Sequence, residues 1–514
     1  MGACRVNCAP MQTHIDVHCP ANGELVGSVA ITPTSEVRGV VERARVAQLA
    51  WGKKSVAERA ELLRKVRVCL LARQEEVLDC LARQNGKPRT EALMHEVFSH
   101  LELLTYFSDE AEAILEPSPI VARLLVHRQS YVHYRPRGVV GLISPWNFPF
   151  AIPFGAVAMA LLAGNAVVLK PSEFTPLVAD LGRAIYLDAG LDPDLLQIVH
   201  GYGDVGAALI DAGIDMMEFT GSVATGRKVA AMCGERLIPC VTELGGKAPA
   251  LVLADANVEH AAQAVTWGGL ANAGQVCASV ERLLVHDAIY DAFVPKLVEK
   301  VKALRLGDAM KDAEFDVGPL VNERQREIVE RLVNEAVSKG AVVACGGRRA
   351  ERPGFFYEPT VLTGCTEEMA IFTSETFGPV IPVMRMKDEE AMITEANRSQ
   401  LGLLAYVFTR RREHGRQLAE RIRAGTVMVN DVLATHAMAE TPWAGVKNSG
   451  IGVAHSAEGL RHMCEARHVN HDLVPWFSRE LWWYPYRAGS IKHLQRAMGA
   501  LYGRGVDRLK RLMG

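Results

Sequence analysis

Short apolar runs alternate with helical stretches through most of the chain, and this rhythm constrains the fold more than any other feature. "GVVGLIS" (138–144), "NAVVLKPS" (165–172), "LLQIVHG" (195–201), "MMEFTGS" (216–222) and "IPCVTEL" (238–244) each read as a short buried strand. Val-, Ile- and Leu-rich runs without polar alternation suit strands covered on both faces. A helical run separates each strand from the next, so the connections are crossovers and the sheet is parallel and doubly wound. After Gly245 a second series begins: "PALVLAD", "ERLLVHD", "AVVACGG", "VIPVMRM", "LLAYVFT" and "GTVMVND". It predicts a second α/β domain over 246–440. A chain of 514 residues has room for about three packed units.

The flanking regions have other characters. Residues 35–115 repeat apolar positions at three and four and read as packing helices that stop near Gly86 and Pro88. "LLVHRQSYVHYRPRG" (124–138) alternates like an exposed strand or hairpin arm. The tail carries "VPWFSRELWWYPYRAG" (474–489), then Ile491, Leu494, Met498 and Leu501 at helical spacing beside a mostly Lys/Arg face. Such a basic amphipathic helix either docks on the body or a neighbouring subunit, or lies on an anionic membrane surface. The longest apolar stretch, 148–169, is broken by Pro149, Pro153 and two glycines. It reads as a buried helix running into a buried strand, not as a membrane span. The N-terminus lacks a signal-peptide core, and Val6 stands where a myristoylation signal needs Ser or Thr.

Composition excludes several classes. Lys and Arg total 57 against 59 Asp and Glu, a formal charge of −2. A near-neutral chain has no overall attraction for nucleic acid. The eleven cysteines form no CxxC pair and no regular framework, which argues against a disulfide scaffold or a zinc site. A reducing, cytoplasmic setting follows.

Several motifs carry chemistry. "LKPSE" ends an apolar strand, where nucleotides bind in doubly wound sheets, and supplies Lys170, Ser172 and Glu173. A carboxylate there accepts ribose hydroxyls and repels a 2′-phosphate, favouring NAD over NADP. "GSVATG" (221–226) leaves a strand and opens a helix, so its amides face a pyrophosphate. "GYGDVG" (201–206) matches GxGxxG outright. We read it as a wall on the adenine side at most and a tight turn at least.

"SPWNFP" (144–149), "KPSE" (170–173), "FTGSVATG" (219–226), "ELGGK" (243–247), "GQVC" (274–277) and "ETFGPV" (375–380) occur in one order. Together they resemble the aldehyde dehydrogenase superfamily from about residue 20 to about 470. The resemblance implies two doubly wound α/β domains plus a small β oligomerisation arm. It divides the chain into a dinucleotide-binding domain (1–123 and 139–245), a catalytic cysteine domain (246–440) and an arm (124–138 and 455–474). A C-terminal aromatic and basic extension (475–514) lies outside the resemblance. A homodimer or homotetramer is implied.

The resemblance also implies the site. Cys277 is the nucleophile, and its hemithioacetal oxyanion is held by the Asn147 amide and the Cys277 N–H. Hydride passes to NAD, with NADP as the alternative. Glu243 activates the water that hydrolyses the thioester. Relatives that transfer the acyl group to coenzyme A tend to lack this glutamate, so a free acid is expected. Ile143, Ser144, Trp146, Lys170, Ser172, Glu173, Gly203, Gly221, Ser222, Gly226 and Leu244 line the cofactor. Glu375 takes the nicotinamide ribose and Phe377 packs near the ring. Lys170 contacts either Glu243 or the ribose.

Three positions depart from the family pattern: Thr376, Glu281 before Arg282, and Trp443–Ala444. They are expected to lie outside the catalytic set and to bear on substrate. The helix after "PWNFP" carries no charge between 150 and 164. An apolar funnel suits medium to long aliphatic or aromatic aldehydes. The alternatives are a succinate-semialdehyde-type enzyme, a membrane-recruited fatty aldehyde dehydrogenase and a non-catalytic structural relative.

Overall fold

The computed structural model describes residues 13–312, 314–476 and 482–503. The signal-peptide and myristoylation readings fall on residues outside this set, as does part of the basic tail. The chain divides into two compact units: Met1–Glu116 with Tyr134–Ala466, and Pro117–His133 with Arg467–Gly514.

The large unit contains both expected sheets. The first is built from β1 (Val139–Ile143), β2 (Ala166–Lys170), β3 (Leu196–Ile198), β4 (Met216–Thr220) and β5 (Cys240–Glu243). The second contains β6 (Ala248–Val252), β7 (Val280–His286), β8 (Val342–Cys345), β9 (Thr360–Thr363), β10 (Val380–Met386), β11 (Leu404–Phe408) and β12 (Thr426–Val429). A short strand, β13 (Gly450–Ile451), returns to the first sheet and pairs antiparallel with β5. The strand orders are β13-β5-β4-β1-β2-β3 and β8-β9-β10-β7-β6-β11-β12.

In the first sheet β1 pairs in parallel with both β2 and β4. The winding reverses there, so a crevice opens beyond the ends of β1 and β4, where ligands bind in such sheets. Val139, Val140, Val167 and Val168 are fully buried between helices on the two faces. In the second sheet β8 runs antiparallel to β9. The sheet is therefore mixed at that edge, where the alternation of runs suggests an all-parallel one. The strand β9 and the N-terminal hairpin His14–His18 with Leu25–Ala30 have no counterpart among the expected strands. Of the segment expected as arm, Ser456–His462 is helical and lies in the large unit.

The helical region over 35–115 is present, with one irregularity. Ser55 caps Val56–Ala72 through a reciprocal capping box with Glu58. Leu93–Phe98 forms a π-helical turn, a feature that widens a helix and often sits at functional sites.

In the small unit Ser118–Ile120 pairs antiparallel with Arg128–Pro136, and Cys464–Asp472 lies on the other side of that strand. Ser130 donates to Asn470 Oδ1 at 2.9 Å. The helix Ser490–Tyr502 buries only Gly499. Trp476, Trp482, Trp483, Tyr484, Tyr486, Ile491 and Met498 are exposed. Among the described residues no helix is long and apolar enough to cross a membrane.

Candidate active site

Cys277 follows an unusual piece of backbone. Asn272, Ala273 and Gly274 have φ of 51°, 56° and 72°, one after another in the left-handed region. Each non-glycine residue there costs about 1–2 kcal/mol, so the turn must be held from outside. Gln275 holds it: Nε2 donates to Asn272 O at 2.9 Å, and Oε1 accepts from Val321 N at 2.9 Å. Asn272 Nδ2 donates to Asn147 O at 3.0 Å, and Asn147 Nδ2 donates to Gln275 O at 3.0 Å. The Asn147 loop and the cysteine turn are thus stitched to each other. A Cβ on Gly246 would lie 2.1 Å from Cys277 O, so the β5–β6 turn needs glycine to approach the nucleophile.

Two buried ion pairs fix the loops on either side. Lys87 Nζ lies 2.6 Å from Glu96 Oε1 and donates to Asn147 O at 2.9 Å. Glu96 Oε2 accepts the N–H groups of Phe150 and Ala151 at 3.1 and 2.8 Å. Lys247 Nζ lies 2.6 Å from Glu281 Oε2 and donates to Thr376 Oγ1 at 3.1 Å. Glu281 accepts from Thr376 N at 2.9 Å and Phe377 N at 2.8 Å. The departures Glu281 and Thr376 are therefore one cluster, and it holds Phe377 in a left-handed conformation, φ 51°.

Cys277 and Glu243 open into one cavity of about 360 Å³. Its walls include Phe148, Ile152, Ala156 and Met159 from the uncharged segment, and also Trp267 and Trp443. Trp443, one of the departures, shares the cavity with Cys277. His95, His436 and His455 form another wall, with His436 5.3 Å from Trp443 and 5.5 Å from His455 between ring centroids. Burial pushes His95 and His455 down to about 3 and His436 to about 4, so all three are neutral. Glu91 and Glu218 are also in the lining, and no Lys or Arg is.

The electrostatics leave the nucleophile at rest. Burial, Glu375 and Glu243 push the Cys277 thiol up to about 12, although the N–H groups of Ala278 and Cys277 itself pull the other way. Burial, then Glu218, raises Glu243 well above the usual carboxylate range. Neither Glu243 oxygen has a hydrogen-bond partner.

The residues expected at the cofactor lie around the strand ends of the first sheet and on the loop that carries Glu375 and Phe377. Ser144 N donates to Lys170 O at 3.2 Å across the ends of β1 and β2. Lys170 Nζ donates to Pro171 O at 3.0 Å and lies 3.8 Å from Glu173. Neither contact is with Glu243, whose oxygens have no hydrogen-bond partner. Ser172 Oγ accepts from Phe174 N, and Ser222 Oγ caps the helix Val223–Glu235. A Cβ on Gly226 would meet Leu244 at 2.3 Å, and one on Gly206 would meet Ile143 at 3.3 Å. Gly221 N donates to Glu243 O at 3.0 Å. Gly203 opens a helix directly after β3. The rings of Trp146 and Phe377 meet edge to face at 5.4 Å. Glu375 Oε1 accepts from Gly246 N at 3.1 Å. Burial and Glu281 push Glu375 up to about 8. The buried Ser144 hydroxyl has no partner. An orphaned hydroxyl, strand-end charges and two helix N-termini, at Gly203 and Val223, fit a dinucleotide.

Sequence reasoning gave no role to Glu218, Asn272, Gln275 or the three histidines. An acid inside the apolar run "MMEFT" was the one available signal.

A profile of the aldehyde dehydrogenase family matches residues 8–469. A putative succinate-semialdehyde dehydrogenase [NADP(+)] of Mycolicibacterium smegmatis is 37% identical, over 87% of this chain and 86% of that one. The 4,4′-diapolycopene aldehyde oxidase of a Methylomonas species is 35% identical over 96% of this chain and 92% of its own. The crystal structure of a Mycobacterium tuberculosis aldehyde dehydrogenase complexed with NAD+ superposes with a TM-score of 0.86 at 34% identity, covering 92% of this chain and 97% of that one. The chain belongs to the aldehyde dehydrogenase family and is an NAD(P)-dependent oxidoreductase.

Proposed function

We propose that the chain oxidises an uncharged, apolar aldehyde to its free acid through Cys277 and Glu243. The observation that carries the reading is the cavity lining: nucleophile and base candidate share it with aromatic and aliphatic walls, and no Lys or Arg faces them. A semialdehyde would bring a carboxylate tail next to Glu91 and Glu218 with no cation to receive it, and burying an unpaired charge is costly.

Glu243, poised by burial as a stronger base than an exposed carboxylate, takes the Cys277 proton. The thiolate adds to the aldehyde carbon, and the oxyanion is held by the Cys277 N–H and the Asn147 Nδ2 hydrogen that Gln275 does not use. When bound in the switch-point crevice, NAD(P)+ supplies the hydride acceptor. Once the proton taken from Cys277 has passed to solvent, Glu243 takes another from the water that cleaves the Cys277 thioester and returns it to the departing thiolate. Glu173 beside Lys170 supports NAD over NADP. Glu375 and Phe377 serve the nicotinamide side.

The names of relatives favour a second reading, succinate semialdehyde. The match to the 4,4′-diapolycopene aldehyde oxidase, by contrast, covers enough of this chain to take in part of the tail. The same reading includes homo-oligomers and peripheral contact with an anionic membrane through 475–514, whose exposed Trp476, Trp482, Trp483, Tyr484 and Tyr486 precede in sequence the helix that carries Lys492 and Arg496. Flotation with phosphatidylserine vesicles, with and without 475–514, tests the contact: equal flotation would end it. For substrate, kcat/KM is compared for decanal and succinate semialdehyde. Decanal should win by at least about 100-fold, and a higher value for the semialdehyde would reverse the assignment.

A further inference from the structure

Glu218 is a second buried acid in the cavity of Cys277 and Glu243. It lies on β4, one strand away from Glu243 on β5. The parallel register sets Thr220 opposite Glu243 and Glu218 opposite Val241. Alternate residues of a strand share a face, so Glu218, Thr220 and Glu243 project to the same side, and all three line the cavity. Glu218 and Glu243 are 7% and 5% exposed.

Neither acid is neutralised. Both Glu243 oxygens are without partners, and burial alone acts on Glu218, with no cation or hydrogen-bond donor opposing it. The titratable groups facing the pair from the other walls are Glu91, His95, Cys277, His436 and His455. Cys240, on β5 itself, also feels Glu218. None of these supplies a positive charge, because the histidines are held neutral. Two carboxyl groups so placed cannot both ionise freely, and they titrate as a pair.

We propose that Glu218 is a positioning residue for catalysis: its carboxylate, acting across the β4–β5 pair, raises the proton affinity of Glu243 to that of a working general base. A base is most effective when its affinity lies near the operating pH. An exposed glutamate is too weak for that task, and burial together with a like charge corrects this. The acid is ionised at Glu218 before Glu243, and Glu243 then holds its proton more tightly until the reaction draws on it. The proposal rests on the reading of Glu243 as the base.

The test compares the wild-type enzyme with E218Q, using decanal and NAD+ across pH. E218Q should move the acid limb of kcat down by about one pH unit, a tenfold fall in proton affinity, with KM for decanal changed less than kcat. E218A should behave alike, and E218D should restore the limb. Iodoacetamide modification of Cys277 needs no aldehyde and senses the charge on Glu243, so its pH step should move in parallel. Coincident steps and limbs in wild-type and E218Q enzymes would overturn the proposal, as would a lower kcat with an unmoved limb. Acid formation persisting in C277A would instead remove the underlying reading, and the alkylation step would still decide on the pair.

Discussion

Four of the five buried glutamates among the described residues divide into two kinds. Glu96 and Glu281 each meet a buried lysine at 2.6 Å and accept backbone N–H groups from the loop beside them. Glu218 and Glu243 have no such partners and open into the cavity with Cys277. The first two are as buried as the second two, so burial does not distinguish them. Satisfaction does. A buried charge that serves structure is paired and hydrogen-bonded, because leaving it bare costs several kcal/mol. A buried acid left bare is retained for what its proton can do. The paired acids hold still the loops carrying Asn147 and Phe377, and the unpaired acids open into the cavity with Cys277.

The comparison can be broken at several points. Removing the nucleophile tests it hardest: C277A should show no acid formation above background in a decanal assay. Next is the paired side. K247M leaves Glu281 buried without its cation and should lose about 3–5 kcal/mol in urea unfolding. If K247M is as stable as wild type, the pairs are not anchors. The unpaired side should respond with the opposite sign. Burial pushes Glu218 up to about 7, above its unfolded value near 4.5. The native state then binds more protons between those values, and stability falls as pH rises from about 4.5 through 7. E218Q should remove that slope, worth up to about 3 kcal/mol at pH 8. On the cofactor side, E173Q should raise kcat/KM with NADP+ relative to NAD+ by about tenfold. An unchanged ratio would free Glu173 of any part in the choice.

Much of this was legible in the sequence, for reasons that can be named. The strands β1, β2 and β6 are five-residue runs of almost wholly apolar residues, enough to announce a doubly covered sheet. Thr360–Thr363 is four residues behind a proline, too short to carry a pattern. That β8 pairs antiparallel is a tertiary choice invisible in "AVVACGG". Cys277, Glu243 and Asn147 stood out because each sits in a family motif. Glu218 has no motif, only its oddity in an apolar strand. His95, His436 and His455 come from distant segments, and no spacing foretells that they meet. Glu281 and Thr376 read as two separate departures, because the lysine that joins them, Lys247, contacts both only after folding.

The most direct test of the division between paired and unpaired acids is a rapid-mixing measurement on E243Q with decanal and NAD+. Glutamine keeps the size and removes the base. The account predicts that the first NADH per subunit and steady turnover both slow about 10²–10⁴-fold, with intact mass spectrometry finding a decanoyl thioester on Cys277. Steady-state turnover equal to wild type, or an acyl group on any other residue, would contradict it.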